Sequence, residues 1–339
     1  MKRTLQAVFL AVFAAQALVV GQGGEVQRVL TQIRAALGGE AKLAAVKSIS
    51  VEGQTLKSTP DGTSSASDFE LAFELPDVKY MKKEVLANLG GMNISRRSGF
   101  NGAELIEEVD TPPSMGGGGM RVMRMSPGGP MPGGTATPEQ IAAQKAQLML
   151  GNKREFARIV LGMLGSTTSA YPVEFVYAGQ AEAPDGKADV LELKSADGFS
   201  AKLFVDGKTH LPLMLMWTDK EPLRMTASPS GAQPAAGNGN VQVFSGSGVS
   251  MSGGRVQSPE DAARMQEDMA ARIKEAEAKR KMVEYRVIYA DYKAVDGVRL
   301  PTRIQRMMDG LPTEEMNLEK IKVNGKIDAS VFAVTKNEK

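Results

Sequence analysis

Between residues 283 and 289 apolar and charged side chains alternate, with Val283, Tyr285, Val287 and Tyr289 on one side and Glu284 and Arg286 on the other. A period of two is that of a β-strand with one wet face. Residues 48–57 repeat the pattern, Ile49 and Val51 alternating with Ser48, Ser50 and Glu52. Residues 68–75, 78–86, 93–98, 173–178, 189–194, 200–205, 211–218, 298–307 and 314–323 read as further strands. Turn groups separate several of them: Pro76-Asp77, Gly90-Gly91, Pro184-Asp185-Gly186, Asp197-Gly198 and Asp206-Gly207. Short strands joined by tight turns pair antiparallel, because parallel neighbours need long crossovers. The expected fold is therefore mainly β (α+β), a curved antiparallel sheet of roughly ten strands with helices closing one side.

Helices interrupt the strands at three or four places. In residues 25–37, Val26, Leu30, Ile33 and Leu37 form one apolar stripe, and Gly38-Gly39 ends it. Thr137 can cap a second helix, with Pro138 in its first turn and Gln140 placed for a capping box; it is expected to reach Leu164 with a break near Gly151. Ser258-Pro259 starts a third, running to about Met282. Charges of both signs surround this third helix, which fits an exposed connector better than a partner-binding face. Two tracts carry too little apolar content to order themselves: a Gly/Pro/Met-rich insertion at 111–137, and a Gly/Ser-rich insertion that with the charged helix spans 228–282. The domain expected is a single one, 25–335, interrupted by both.

Met1-Lys2-Arg3 followed by an apolar run from Leu5 to Val20 reads as a secretory signal covering 1–22, with Ala15-Gln16-Ala17 as a cleavage motif. An uncleaved anchor is the alternative. Lipid anchoring needs a Cys after the cut, and the chain has no Cys. The expected location is periplasmic.

Chemistry is excluded more readily than assigned. Without Cys there are no thiol nucleophiles, disulfides or thiolate metal sites, and a lone His removes multi-histidine centres. A formal net charge of +2 gives no electrostatic footprint for nucleic acid. His210 would have to serve any Ser-His-Asp set, yet it lies in the 206–212 turn and no Gly-x-Ser-x-Gly elbow exists. Glu107, Glu108 and Asp110, Glu182 with Asp185, and Glu314 with Glu315 sit beside turns or on wet strand edges, where solvation accounts for them. Met115, Met120, Met123, Met125 and Met131 could offer thioethers to Cu(I), but they lack any His or Cys partner. No catalytic residue, metal site or cofactor is expected, and the chain is not expected to be an enzyme.

The order of short motifs carries a resemblance. A first helix ending in Gly-Gly, then Leu75-Pro76-Asp77-Val78-Lys79-Tyr80, Phe100-Asn101-Gly102, Tyr177-Ala178-Gly179, and the run from Phe204 through Asp206-Gly207 to Leu211-Pro212, is similar to the lipoprotein-localisation carrier superfamily with the LolA/LolB-like fold. So are Asp291-Tyr292-Lys293, Leu300-Pro301, residues 321–324 and Phe332. The resemblance implies an incomplete antiparallel β-barrel with helices closing one side over its mouth, and an apolar cavity that in carrier members shields lipoprotein acyl chains. Some relatives act instead as envelope sensors.

The strand 211–218 is apolar on both faces, with Leu213, Leu215 and Trp217 on one and Met214 and Met216 on the other. Met side chains suit a wall that adapts to varied acyl chains. The candidate ligand-binding residues are Phe175, Tyr177, Leu213, Met214, Leu215, Met216, Trp217, Tyr285 and Tyr289. The expected partner is a lipid or lipoprotein acyl chain; the alternative is an envelope-sensing or protein-interaction module without catalytic activity.

Overall fold

The computed structural model describes residues 22–58, 62–75, 77–89, 92–110, 137–183, 186–223, 267 and 271–334. Nearly all of the signal segment, all but the last residue of the first insertion and most of the second lie outside these. The chain opens with α1 (Gln22–Ala36) and the short α2 (Glu40–Ala44). Five strands follow: β1 (Ser48–Ser58), β2 (Ser64–Glu74), β3 (Lys79–Leu89), β4 (Met92–Asn101) and β5 (Glu104–Asp110). After α3 (Pro138–Leu164) come β6 (Glu174–Ala183), β7 (Gly186–Lys194), β8 (Ser200–Asp206) and β9 (Pro212–Lys220). The last three are β10 (Met282–Val295), β11 (Val298–Met308) and β12 (Leu311–Val323), before a 3-10 turn at Ala329–Phe332.

All twelve strands form one antiparallel sheet, ordered β5-β4-β3-β2-β1-β12-β11-β10-β9-β8-β7-β6. Chain order is broken only where β1 pairs with β12, with Ile49 opposite Val323. The sheet curls into an incomplete barrel whose two free edges are β5 and β6. Glu104–Asp110 is a strand the alternation does not announce, because only Ile106 on it is buried. Its carboxylates are matched across the hairpin, Glu107 to Arg96 at 2.8 Å and Glu108 to Arg97 at 2.7 Å. A charged edge of this kind resists pairing with another sheet.

Both long helices pack on one face, the inner one. Val29 and Ile33 of α1 and Leu37 just after it are fully buried, with Val26 and Leu30 flanking them. The helix end docks on the β10–β11 hairpin through Arg299 N to Leu37 O at 2.7 Å. Gly38 is required there, since a β-carbon would overlap the Gly297 carbonyl. The Thr137 capping box forms as the sequence suggests, Gln140 N donating to Thr137 Oγ1 at 3.3 Å and Thr137 N to Gln140 Oε1 at 3.0 Å. From there α3 runs unbroken through Gly151 to Leu164. A solvent-facing glycine costs a helix only about 1 kcal/mol. The buried C-terminal half, from Phe156 to Leu164, outweighs it.

Phe156 anchors α3 among Phe73, Tyr80 and Phe100 of the facing strands, at centroid separations of 5.4, 5.3 and 5.7 Å. The 3-10 turn closes a smaller cluster on the outer face, where Phe332 meets Ala72, Met81 and Ile106.

Candidate functional site

The inner face divides in two. Over β6–β10 it is apolar and aromatic; over β1–β3, β11 and β12 it carries buried charge. Alternation fixes which side chains point inward: Leu191 opposes Leu203, Leu203 opposes Leu215, and Trp217 opposes Tyr285. Of the expected wall residues, Phe175, Tyr177, Leu215, Trp217 and Tyr289 belong to the core cluster that includes α1 and α3. Phe175, Tyr177, Trp217 and Tyr285 are half-buried. Leu215 is sealed at 0 % exposure and Tyr289 at 2 %. Met214 lies on the other face beside Ala188, Val190 and Phe204, with Leu213 and Met216 packed against that group.

Trp217 is the centre of the aromatic half. Its indole stacks on Tyr285 at 5.3 Å and 9°, and meets Phe199 edge-on at 6.0 Å. The Arg158 guanidinium of α3 lies over it, 4.2 Å from the ring centroid. Arg154, one turn earlier, is held by Asp197 at 2.8 Å and sits over Phe199. Tyr171 completes that group, donating to Asp197 at 2.8 Å. Burial opposes ionisation of Asp197, but the hydrogen bonds from Ser195, Tyr171 and Arg154 bring its pKa down to about 2.

On the other half, charges alternate in one chain: Lys57, Glu84, Lys82, Glu314, Arg306, Glu155, Arg158. Lys57 Nζ is 3.1 Å from Glu84, and Lys82 Nζ is 2.5 Å from Glu84 and 3.4 Å from Glu314. Arg306 Nε lies 2.9 Å from Glu314 but off the hydrogen-bond direction. Its Nη2 bonds Glu155 of α3, whose other oxygen is 3.6 Å from Arg158. Burial pushes Glu84 up, yet Lys82 and Lys57 outweigh it and hold the carboxyl at about 2. Glu155 and Glu314 are likewise lowered, burial being overcome by Arg306 in both. The Tyr80 hydroxyl, sealed beside this chain, has no hydrogen-bond partner. Burial and the neighbouring carboxylates raise its pKa well above the usual phenol value, against the opposing pull of Arg306.

Sequence reasoning missed the charged chain, because polar residues were read as marking the wet face. A signal was present: Lys82 and Glu84 share parity with Tyr80, and Glu314 with Met316 and Leu318.

His210 adopts a left-handed conformation at φ 56° in the turn after Asp206, and its Nδ1 has no partner. Among the described residues no cluster of His, Cys, Asp or Glu is arranged to hold a metal ion. A depression is lined by polar side chains, Asp291, Arg303, Asn317 and Lys320, and by apolar ones, Val295, Leu318 and Ile321; its Arg303 and Lys320 are already paired with Asp291 and Glu52. No helix among the described residues is long and apolar enough to cross a membrane.

No family model and no curated protein matches the chain. Solved structures do. A DUF1329 family protein from Desulfovibrio piger is 8 % identical with a TM-score of 0.43, covering 91 % of this chain and 97 % of that one. A LolA superfamily protein from Nitrosomonas europaea is 10 % identical at 0.39, covering 91 % and 96 %. A putative outer membrane lipoprotein-sorting protein domain from Vibrio parahaemolyticus is 10 % identical at 0.41, covering 92 % and 95 %. The likeness in each case is one of fold and carries no information about ligands.

Proposed function

We propose that this chain is an exported, periplasmic binding or carrier protein without catalytic activity, holding a lipid or lipoprotein acyl chain against the β6–β10 half of its inner face. One observation carries the reading. Phe175, Tyr177, Trp217 and Tyr285 line that face yet remain half-buried, an aromatic wall that α1 and α3 leave partly open. Apolar sites with a few placed polar groups are the common form of small-ligand pockets. The half over β1–β3, β11 and β12 is occupied by Phe156 and the charged chain.

Native mass spectrometry of protein purified from a periplasm tests this, with co-purified lipid as the expected result. Delipidated protein should show saturable quenching of Trp217 by a brominated fatty acid. Ligand-free protein whose emission no fatty acid alters would remove the proposal. The alternative, a partner-binding module built on the charged helix, has less support. Residues 271–279 are helical, and Arg280 ties their end to the β9–β10 connection through the Glu221 carbonyl at 2.5 Å.

A further inference from the structure

We propose that Arg158 is the recognition point for an anionic headgroup, a carboxylate or a phosphate, on the amphiphile whose chain the aromatic wall holds; the inference rests on that reading and makes it more specific. The charge count points there first. The alternating chain has four cations, Lys57, Lys82, Arg306 and Arg158, against three carboxylates, Glu84, Glu314 and Glu155. One positive charge is left over. The Lys57 end reaches solvent, with its side chain 42 % exposed, so water satisfies it. The Arg158 end is at the aromatic wall, only 18 % exposed.

Hydrogen bonding gives the same answer. A guanidinium presents five N–H donors in a rigid fork. None of those on Arg158 makes a hydrogen bond among the described residues: Nε is buried without a partner, and the one carboxylate oxygen near Nη1 stands at 3.6 Å. That carboxylate is already bonded to Arg306. Arg154, by contrast, is satisfied by Asp197 and Tyr171. Buried donors are almost always paired, so a buried Nε without a partner, on a guanidinium that makes no hydrogen bond to the described residues, marks a place where an acceptor is missing. Contacts with the Trp217 and Phe199 rings accommodate its charge from the side but leave the fork free. The fork matches a carboxylate or phosphate bidentately. An amphiphile with its head on Arg158 would have its tail beside Trp217 and Tyr285.

Trp217 is the only indole, so its emission reports the site. The full exported chain, delipidated, is titrated with monododecyl phosphate, dodecanoate, dodecanol and inorganic phosphate, in the wild type, Arg158→Gln and Arg158→Lys. Both anionic amphiphiles should bind the wild type more tightly than dodecanol does. Arg158→Gln should weaken them by at least about tenfold, the scale of a lost charged hydrogen bond, and leave dodecanol unchanged. Arg158→Lys should fall between. Equal affinity of the wild type for dodecanol and dodecyl phosphate, or undiminished binding of the anions by Arg158→Gln, overturns the headgroup site while leaving the acyl reading intact. An Arg158-dependent response to inorganic phosphate with no amphiphile binding keeps an anion site and removes the lipid. Silence with all probes removes both. Should Arg158→Gln fail to fold, as its thermal midpoint would show, the wild-type preference for phosphate over alcohol and the Arg158→Lys titration decide.

Discussion

The Tyr289 ring lies against the backbone of Gly162, so close that a β-carbon at position 162 would fall within the ring's van der Waals envelope, while the Tyr289 hydroxyl donates to the Arg158 carbonyl at 2.7 Å. Tyr292 reaches the same helix, its hydroxyl proton shared between the Pro212 carbonyl at 2.9 Å and the Gly162 carbonyl at 3.1 Å. β10 thus grips α3 by its backbone. Alanine normally favours a helix over glycine, yet Gly162→Ala is expected to destabilise by about 1–3 kcal/mol through overpacking. Gly151 in the same helix has open space around it, so Gly151→Ala should stabilise by about 0.5–1 kcal/mol. Urea unfolding of the two variants checks the pair, and equal effects at both sites would refute the packing argument.

Acid should unfold the protein through the charged chain. Glu84, Glu155 and Glu314 all have pKa values below the ordinary carboxylate value in the folded state, Glu84 at about 2. Depressed carboxylates contribute stability above the unfolded pKa and lose it as pH falls through the folded one. The loss therefore lies between roughly pH 4.5 and pH 2. Glu84→Gln should lower the thermal midpoint at pH 7, because Lys82 loses a carboxylate while buried. It should also flatten the midpoint's decline between those pH values. A variant that tracks the wild type in parallel would show that Glu84 is not part of the acid response.

Period two was enough to read every strand but β5, and the β7–β8 and β8–β9 hairpins follow from Asp197-Gly198 and Asp206-Gly207. The capping box of α3 was equally legible, being a local device. What the sequence hid was non-local. Lys82, Glu314, Arg306 and Glu155 come from four different elements, and only the β1–β12 closure and the seating of α3 bring them together. The strand Glu104–Asp110 was hidden for a related reason: its charges are balanced by Arg96 and Arg97 on the neighbouring strand, so it carries no apolar stripe of its own. Of the wall residues, alternation placed Leu213, Leu215 and Trp217 on one face and Met214 and Met216 on the other; Leu213 instead packs with Met214, where the β8–β9 register shifts. Which face the helices cover could not be read, since both are apolar.

Removing the Tyr80 hydroxyl should be harmless or better. It is fully buried between Phe100 and Phe156 and has no hydrogen-bond partner. Burying an unpaired hydroxyl costs about 1–3 kcal/mol in proteins. Tyr80→Phe keeps the ring contacts and drops that cost, so stability should hold or rise by about 1 kcal/mol. A clear loss in denaturant unfolding would mean that the hydroxyl has an acceptor after all.

Asp189 should set how firmly α1 is seated. It is 3 % exposed on β7 and gathers three donors from two elements: Arg28 of α1 at 3.3 Å, and Tyr177 and Gln180 of β6 at 3.0 and 3.2 Å. Arg28 also stacks over the Tyr177 ring. Asp189→Asn keeps the shape but weakens each of these bonds, at an expected cost of about 1–3 kcal/mol. Two readouts separate a local from a general effect. Amides of Gln22–Ala36 should exchange faster while those of β10 and β11 do not. The Tyr177 phenol, pushed up to about 12 first by burial and then by Asp189, should fall back toward its ordinary value, because only the second of those causes is removed. Uniform acceleration across the sheet would mean that Asp189 supports the barrel as a whole, whereas loosening confined to α1 would show that it seats that helix alone.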